Sequence, residues 1–276
     1  MILVKVLNYF INVFRAEFLL VVSDIIRRKI LIALFIAYPY ILALFIVLIG
    51  SSIGSYNAFK ARLGIDPLLF FIIASYLMMT VLSVIDEVLW RPVHDSMVGT
   101  ASYIMIAPIS KVIFYSIVPL PRLILSTLIG ASSVLPVSIM FYGLRGVYVT
   151  CLVIALALTS SFLLLTFSTL LLGTFYYLLG ENWRLLNILR PILLIITGIY
   201  YPRFLMPLVL RVISSLLPSS NTIELLYRSL LGIHTEAMYA LTLVGIAIAL
   251  TLAYLPLSSI TISLWERKNL VRGSLR

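Results

Sequence analysis

The chain has 276 residues, 62% of them hydrophobic and 11% charged, where soluble domains are roughly half apolar and about a quarter charged. That composition excludes a soluble globular domain and defines a polytopic, all-α membrane protein. The net charge of +10 would point to nucleic acid in a soluble protein, but the basic residues sit mostly beside apolar runs. Anionic lipid headgroups are the natural counter-charge there, at roughly 1 kcal/mol per Lys or Arg, so no nucleic-acid partner is expected. The single cysteine, Cys151, lies in an apolar run and leaves neither an intrachain disulfide nor a CxxC metal or redox site.

Residues 1–29 precede the first long apolar run. Lys5, Arg15, Glu17, Asp24, Arg27 and Arg28 interrupt them, so they make no span. Wound as a helix, Lys5, Asn8, Asn12 and Arg15 share one face, while Leu3, Leu7, Phe10, Phe14, Val21 and Ile25 lie on the other. This is the pattern of an amphipathic helix lying in the membrane interface. Charges within the apolar stretch and the lack of a small-x-small site count against a cleaved signal peptide.

A six-span core is expected over residues 30–264. The first span, Ile30 to Ile49, is uncharged, and at about 1.5 Å per residue it covers a hydrocarbon core of about 30 Å. Pro67 opens the second, which runs to Ile85. A polar island, Asp86 to Lys111, then separates it from a third span, from about Val112 to Leu144. Pro119 and Pro121 predict a kink near the start of that span, and Arg122 can snorkel to the interface. After a turn at Gly143 to Gly146, no charge occurs until Gly180, so the fourth span is long. The fifth needs residues from Leu185 to Pro202, with Arg190 near an interface. From Pro202 to Glu236, Arg203, Pro207, Arg211 and Pro218 break the chain into pieces that suit a re-entrant helical pair on the outer side. The sixth span is Ala237 to Leu264, and residues 265–276 form a basic tail.

Six spans put both termini on one side. Thirteen Lys and Arg residues fall on that side and six on the other, with Arg122 left in a span. The excess of positive charge places the termini and the island in the cytoplasm of a multi-pass cell-membrane protein.

The chain has no G-x-x-x-x-G-K-[ST] loop, so it does not itself hold ATP in that way. Two stretches resemble a known family. Gly99-Thr100-Ala101-Ser102-Tyr103-Ile104-Met105-Ile106-Ala107-Pro108-Ile109-Ser110-Lys111 resembles the cytoplasmic helix of type 2 ABC transporter permeases, in which a Gly-Thr pair leads through a short helix to Pro-[IV]-Ser and a basic residue. Thr197-Gly198-Ile199-Tyr200-Tyr201-Pro202, followed by Pro207, Leu217-Pro218, Glu224, Arg228 and Gly232, is similar to the same family's signature after the fifth span. The chain departs from the pattern at Ala101 and Ser102, where a Glu commonly follows the Gly-Thr pair, and at His94 and Asp95 just before it.

The resemblance implies an exporter half, not an enzyme. A separate ATPase subunit would bind ATP and Mg²⁺, a second permease subunit would complete a homo- or heterodimer, and lipids would surround both. Gly99, Thr100, Ser102, Tyr103, Ile106, Pro108, Ser110 and Lys111 would then form the ATPase-coupling helix. Gly198, Tyr200, Tyr201 and Pro202 are candidates for an outer gate, although an ordinary aromatic belt accounts for the tyrosines as well. Glu224 and Arg228 stand four residues apart and read as a structural pair.

Other chemistry is weakly signalled. Asp86, Glu87, His94 and Asp95 could be imagined as a metal cluster, but Pro92 interrupts the helix that would align them and Arg91 is placed to pair with Glu87. The expected outcome is a solvated charged loop. Thr159, Ser160, Ser161, Thr166, Ser168 and Thr169 fit a substrate route and small-residue packing equally. An intramembrane lipid-modifying enzyme and a passive channel are the alternatives. Both need ionisable groups at membrane depth, which the spans largely lack. Drugs, lipids, peptides and lipid-linked glycans all remain compatible as cargo.

Overall fold

A computed structural model describes residues 2–52, 55–107, 110–179, 184–232 and 236–272. All regular structure among them is helical. Five helices are long and apolar enough to cross a membrane: Ile32–Ser52, Pro67–Val98, Lys111–Tyr142, Arg145–Leu179 and Ala237–Lys268. The protein is thus an all-α, polytopic membrane protein.

The first helix, α1 (Ile2–Arg27), ends beside the basic run, and α2 (Ile30–Ser52) follows at once. Phe14 of α1 packs on a small apolar cluster of Val84, Leu120, Leu123 and Leu165, while Asn12 and Arg15 face outward. A short helix, α3 (Ser55–Leu63), is tied to the next crossing because the Tyr56 hydroxyl donates to both carboxylate oxygens of Asp66 at 2.9 Å. Asp66 in turn caps α4 (Pro67–Leu77) by accepting from the Leu68 N–H, with Pro67 at the first helical position.

The second crossing is the buried axis of the molecule. It runs from α4 through a π-helical turn, Met78–Leu82, into α5 (Ser83–Val98) without a break. Residues 86–98 are therefore helical and not the expected loop, and Pro92 does not end the helix. Proline removes one backbone donor and loosens the turn before it. In the adjoining turn the Tyr176 hydroxyl donates to the Leu89 carbonyl at 2.8 Å, which ties α9 to α5 there.

A six-residue helix, α6 (Ala101–Ile106), leads to the third crossing. That crossing is split at Val118 into α7 (Lys111–Ile117) and α8 (Pro119–Tyr142), as its prolines predict. The fourth, α9 (Arg145–Leu179), has 35 residues. A shorter helix, α10 (Arg184–Ile196), follows, then a 3-10 turn at Arg203–Leu205, α11 (Leu208–Ser215) and α12 (Pro218–Leu230). The last helix, α13 (Ala237–Arg272), carries the start of the basic tail as helix, so the tail is no separate coil as far as Arg272.

Three directional relations organise the bundle. Thr251 of α13 donates to the Leu163 carbonyl of α9 at 3.4 Å, Gly173 lies against Thr261 and Ile262, and Lys268 reaches the Tyr177 carbonyl, so α9 and α13 run parallel. α10 runs antiparallel to the second crossing, with Arg190 at Asp86 and Tyr200, just past its end, at Ser75. α12 returns antiparallel along α13: the Tyr254 hydroxyl donates to the Leu216 carbonyl at 2.8 Å, and Tyr239 meets Glu224. Tyr254 lies about 25 Å along α13 from Ala237 at about 1.5 Å per residue. The buried hydroxyls of α9 serve this packing. Ser160, Ser161 and Ser168 donate to carbonyls four residues back, and Ser160 also meets Thr222 of α12 at 2.6 Å.

Candidate functional site

The turn between α5 and α6 leaves several large apolar side chains uncovered. From Asp86 to Val98 the helix advances about 18 Å, and Gly99 then stops it. Gly99 has φ +80°, the left-handed conformation that favours glycine, and its N–H and that of Thr100 bond back to the carbonyls of Ser96 and Asp95. α6 turns Met105 inward and leaves Tyr103 and Ile106 each 77% exposed, beside Met97 at 72% and Val98 at 61%. Four large apolar side chains on one projecting turn make a surface that water does not favour.

The other residues expected in this element divide. Thr100 and Ala101 begin α6, Ser102 is half-buried and Ser110 is exposed; Pro108 lies outside the described residues. Lys111 is buried. Its ammonium donates to the Ala107 carbonyl at 2.7 Å and faces Glu266 of α13 at 3.6 Å, so it fastens the end of α6 to the last helix. Beside it, the Trp265 ring packs against those of Tyr115 and Tyr176, tilted by 49° and 51°.

Two acidic side chains of α5 grip other helices, and the third, Asp95, pairs within α5. Asp86 pairs with Arg190 of α10, and Glu87 with Arg122 of α8 at 2.8 Å. Arg122 therefore meets a carboxylate instead of reaching for the headgroups. Arg91 does not pair with Glu87: its guanidinium makes two bonds to Glu17 of α1, at 2.7 and 2.9 Å, and two to Asp95, at 2.9 and 3.0 Å. These groups are a set of interhelical ion pairs and not a solvated loop. Among the described residues, no three His, Cys, Asp or Glu side chains group to hold a metal ion; His234 lies outside them.

A cleft of about 420 Å³ opens beside Arg91, between Tyr9 and Val13 of α1 and Tyr103, Ile104, Ala107 and Phe114. Its walls are mainly apolar, and burial raises the Tyr9 phenol above its ordinary value, so it stays protonated.

At the far end, Gly198 has φ +80° and lets the chain turn out of α10. Tyr200 is half-buried, with its hydroxyl 3.1 Å from that of Ser75 and 3.4 Å from Met78 Sδ in the π-helical turn. Tyr201 is exposed and donates to the Leu205 carbonyl, while Pro202 is buried. The Glu224 and Arg228 pair exists, at 2.9 Å, but it belongs to a larger network. Glu224, 3% exposed on its side chain, also accepts from Arg203 and from Tyr239, and Arg203, at 7%, donates to Asn221 at 2.6 Å.

Sequence reasoning missed Arg203, Glu17 and the Arg91 partners. An acidic residue inside an otherwise apolar helical face, as at Glu17, is the signal that a cation must meet it. No family model matches this chain, and neither does any curated protein or solved structure.

Proposed function

We propose that this chain is the membrane-spanning permease subunit of an ATP-driven exporter of the type 2 ABC class that its motifs resemble. The observation that carries the reading is the projecting α5–α6 turn, with Met97, Val98, Tyr103 and Ile106 exposed beyond the end of the apolar part of its helix. An apolar knob on the cytoplasmic side fits a cleft on a separate ATPase subunit. ATP and Mg²⁺ belong to that subunit, and closure on nucleotide would be transmitted through α6 as a shift between two states of the helices. A second permease subunit, identical or sister, completes the pathway.

The parallel course of α9 and α13 supports six crossings, because one crossing must lie between two parallel ones, and the excess of Lys and Arg on their side supports cytoplasmic termini. α10 supplies it, together with the turn after Gly198. The α11–α12 pair, whose connecting turn at Leu216 lies partway down α13, is then the re-entrant segment. An intramembrane enzyme is less well supported, because the buried carboxylate of Glu224 is taken up by Arg203, Arg228 and Tyr239.

Photocrosslinking tests the docking. With Cys151→Ser as background, a thiol-reactive crosslinker at Tyr103→Cys or Ile106→Cys in native membranes should yield an adduct with a Walker-containing ATPase, and one at Leu144→Cys should not. Absence of that adduct from both tip positions, or cargo movement by the purified chain alone, would overturn the assignment.

A further inference from the structure

We infer that Thr100, Asp95, Arg91 and Glu17 form a hydrogen-bonded relay that ties the position of the membrane-surface helix α1 to the conformation of the α5–α6 turn. The links are continuous. The Thr100 hydroxyl donates to the Asp95 carboxylate at 3.3 Å, Asp95 holds Arg91 Nε through both oxygens, and the two terminal guanidinium nitrogens of Arg91 hold both oxygens of Glu17. Paired two-point contacts on a planar guanidinium fix orientation as well as distance. A rotation of the turn that moves Asp95 therefore carries Arg91 and Glu17 with it.

Burial makes the relay stiff. Glu17 and Asp95 are both buried, so neither can exchange its partner for water at low cost. The charges that face Arg91 are those two carboxylates, with His94 Nδ1 3.8 Å from Asp95 on the exposed side and the Phe114 ring 5.7 Å from the guanidinium carbon. Next to this tight line the cleft separates α1 from α6 and α7. Across the open space α1 has room to approach α6, and the relay sets how far. In the exporter reading, on which this inference rests for its purpose, nucleotide-driven movement of the turn would open or close that cleft at the inner leaflet.

The test needs only the purified chain in lipid nanodiscs, so it stands apart from whether an ATPase is found. Spin labels at Val13→Cys and Ala107→Cys, on opposite walls of the cleft, with Cys151→Ser as background, report docked and released α1. The unaltered relay should give one narrow distance. Glu17→Gln and Asp95→Asn should each raise the released fraction about tenfold, in line with coupling of this kind. Thr100→Val should shift it in the same direction by less, and Thr100→Ser should restore the parent distance. If Glu17→Gln alone releases α1, the pair is a local fastener and the relay is overturned. If none of the variants releases it, apolar packing through Phe14 holds α1 and the relay is again overturned. Failure to recover an ATPase would sink the exporter reading while leaving these distances to be judged by themselves.

Discussion

At the scale of single residues, the buried ionic network around Glu224 makes the sharpest demand on the chain. One carboxylate meets two guanidinium groups, Arg203 and Arg228, and the surplus positive charge is softened by the Tyr239 ring, 4.5 Å from Arg228, and by the Asn221 carbonyl oxygen. Removing one member of such a set leaves a buried charge without its counterpart, at a cost of about 3–5 kcal/mol. Glu224→Gln should therefore lower the unfolding midpoint in detergent substantially. Pairing it with Arg203→Met should recover part of the loss, because the stranded charge goes too. A double variant as unstable as the sum of the two single ones would contradict this account. The pair of Glu224 and Arg228 was legible from spacing alone, since four residues bring side chains together on any helix. Arg203 was not, because its approach depends on how the turn after Gly198 folds back, which no local period encodes.

Elements were legible to the extent that lipid dictates them. A core of about 30 Å demands about twenty apolar residues, and the amphipathic face of α1, the uncharged runs and the proline break before α8 follow directly. The continuation of α5 through Pro92 ran against local rules, since a proline inside a helix costs it one backbone bond. The partners of Asp86 and Glu87, and Glu17 as partner of Arg91, lie on other helices whose rotation the sequence does not state, whereas Asp95 stands four residues from Arg91 and was open to the same spacing rule as Glu87. Close approach of α9 and α13 is another such relation. An added Cβ at Gly173 would fall 2.5 to 2.7 Å from Thr261 and Ile262, two of the three contacts being with backbone, whereas one at Gly245 would meet open space. Gly173→Ala should separate the two helices and cost about 1–3 kcal/mol. Gly245→Ala should gain about 0.4–1 kcal/mol by restricting the unfolded chain. Thermal unfolding of the two variants side by side checks the contrast, and equal effects would mean that the helices are not in backbone contact at Gly173.

At the scale of the whole molecule, the direction of α13 relative to α9 governs where every loop lies. In the six-crossing arrangement proposed above, one crossing lies between the parallel α9 and α13, and α10 with its 13 residues spans only about 20 Å of it. The turn after Gly198 would complete that crossing, and there the Tyr200 hydroxyl meets Ser75 and Met78 of the second crossing. Ser219, at the start of α12, is buried. A tag at Ser219 would test folding instead of sidedness, so exposed positions must carry the topology measurement. With Cys151→Ser as background, an impermeant thiol reagent applied to intact cells should label Leu144→Cys and Gly232→Cys. It should label Asp24→Cys, Met97→Cys and Arg267→Cys only after the membrane is opened. With five crossings, one of Asp24 and Arg267 would be reached from outside, because an odd number of crossings sends the two ends of the chain to opposite faces.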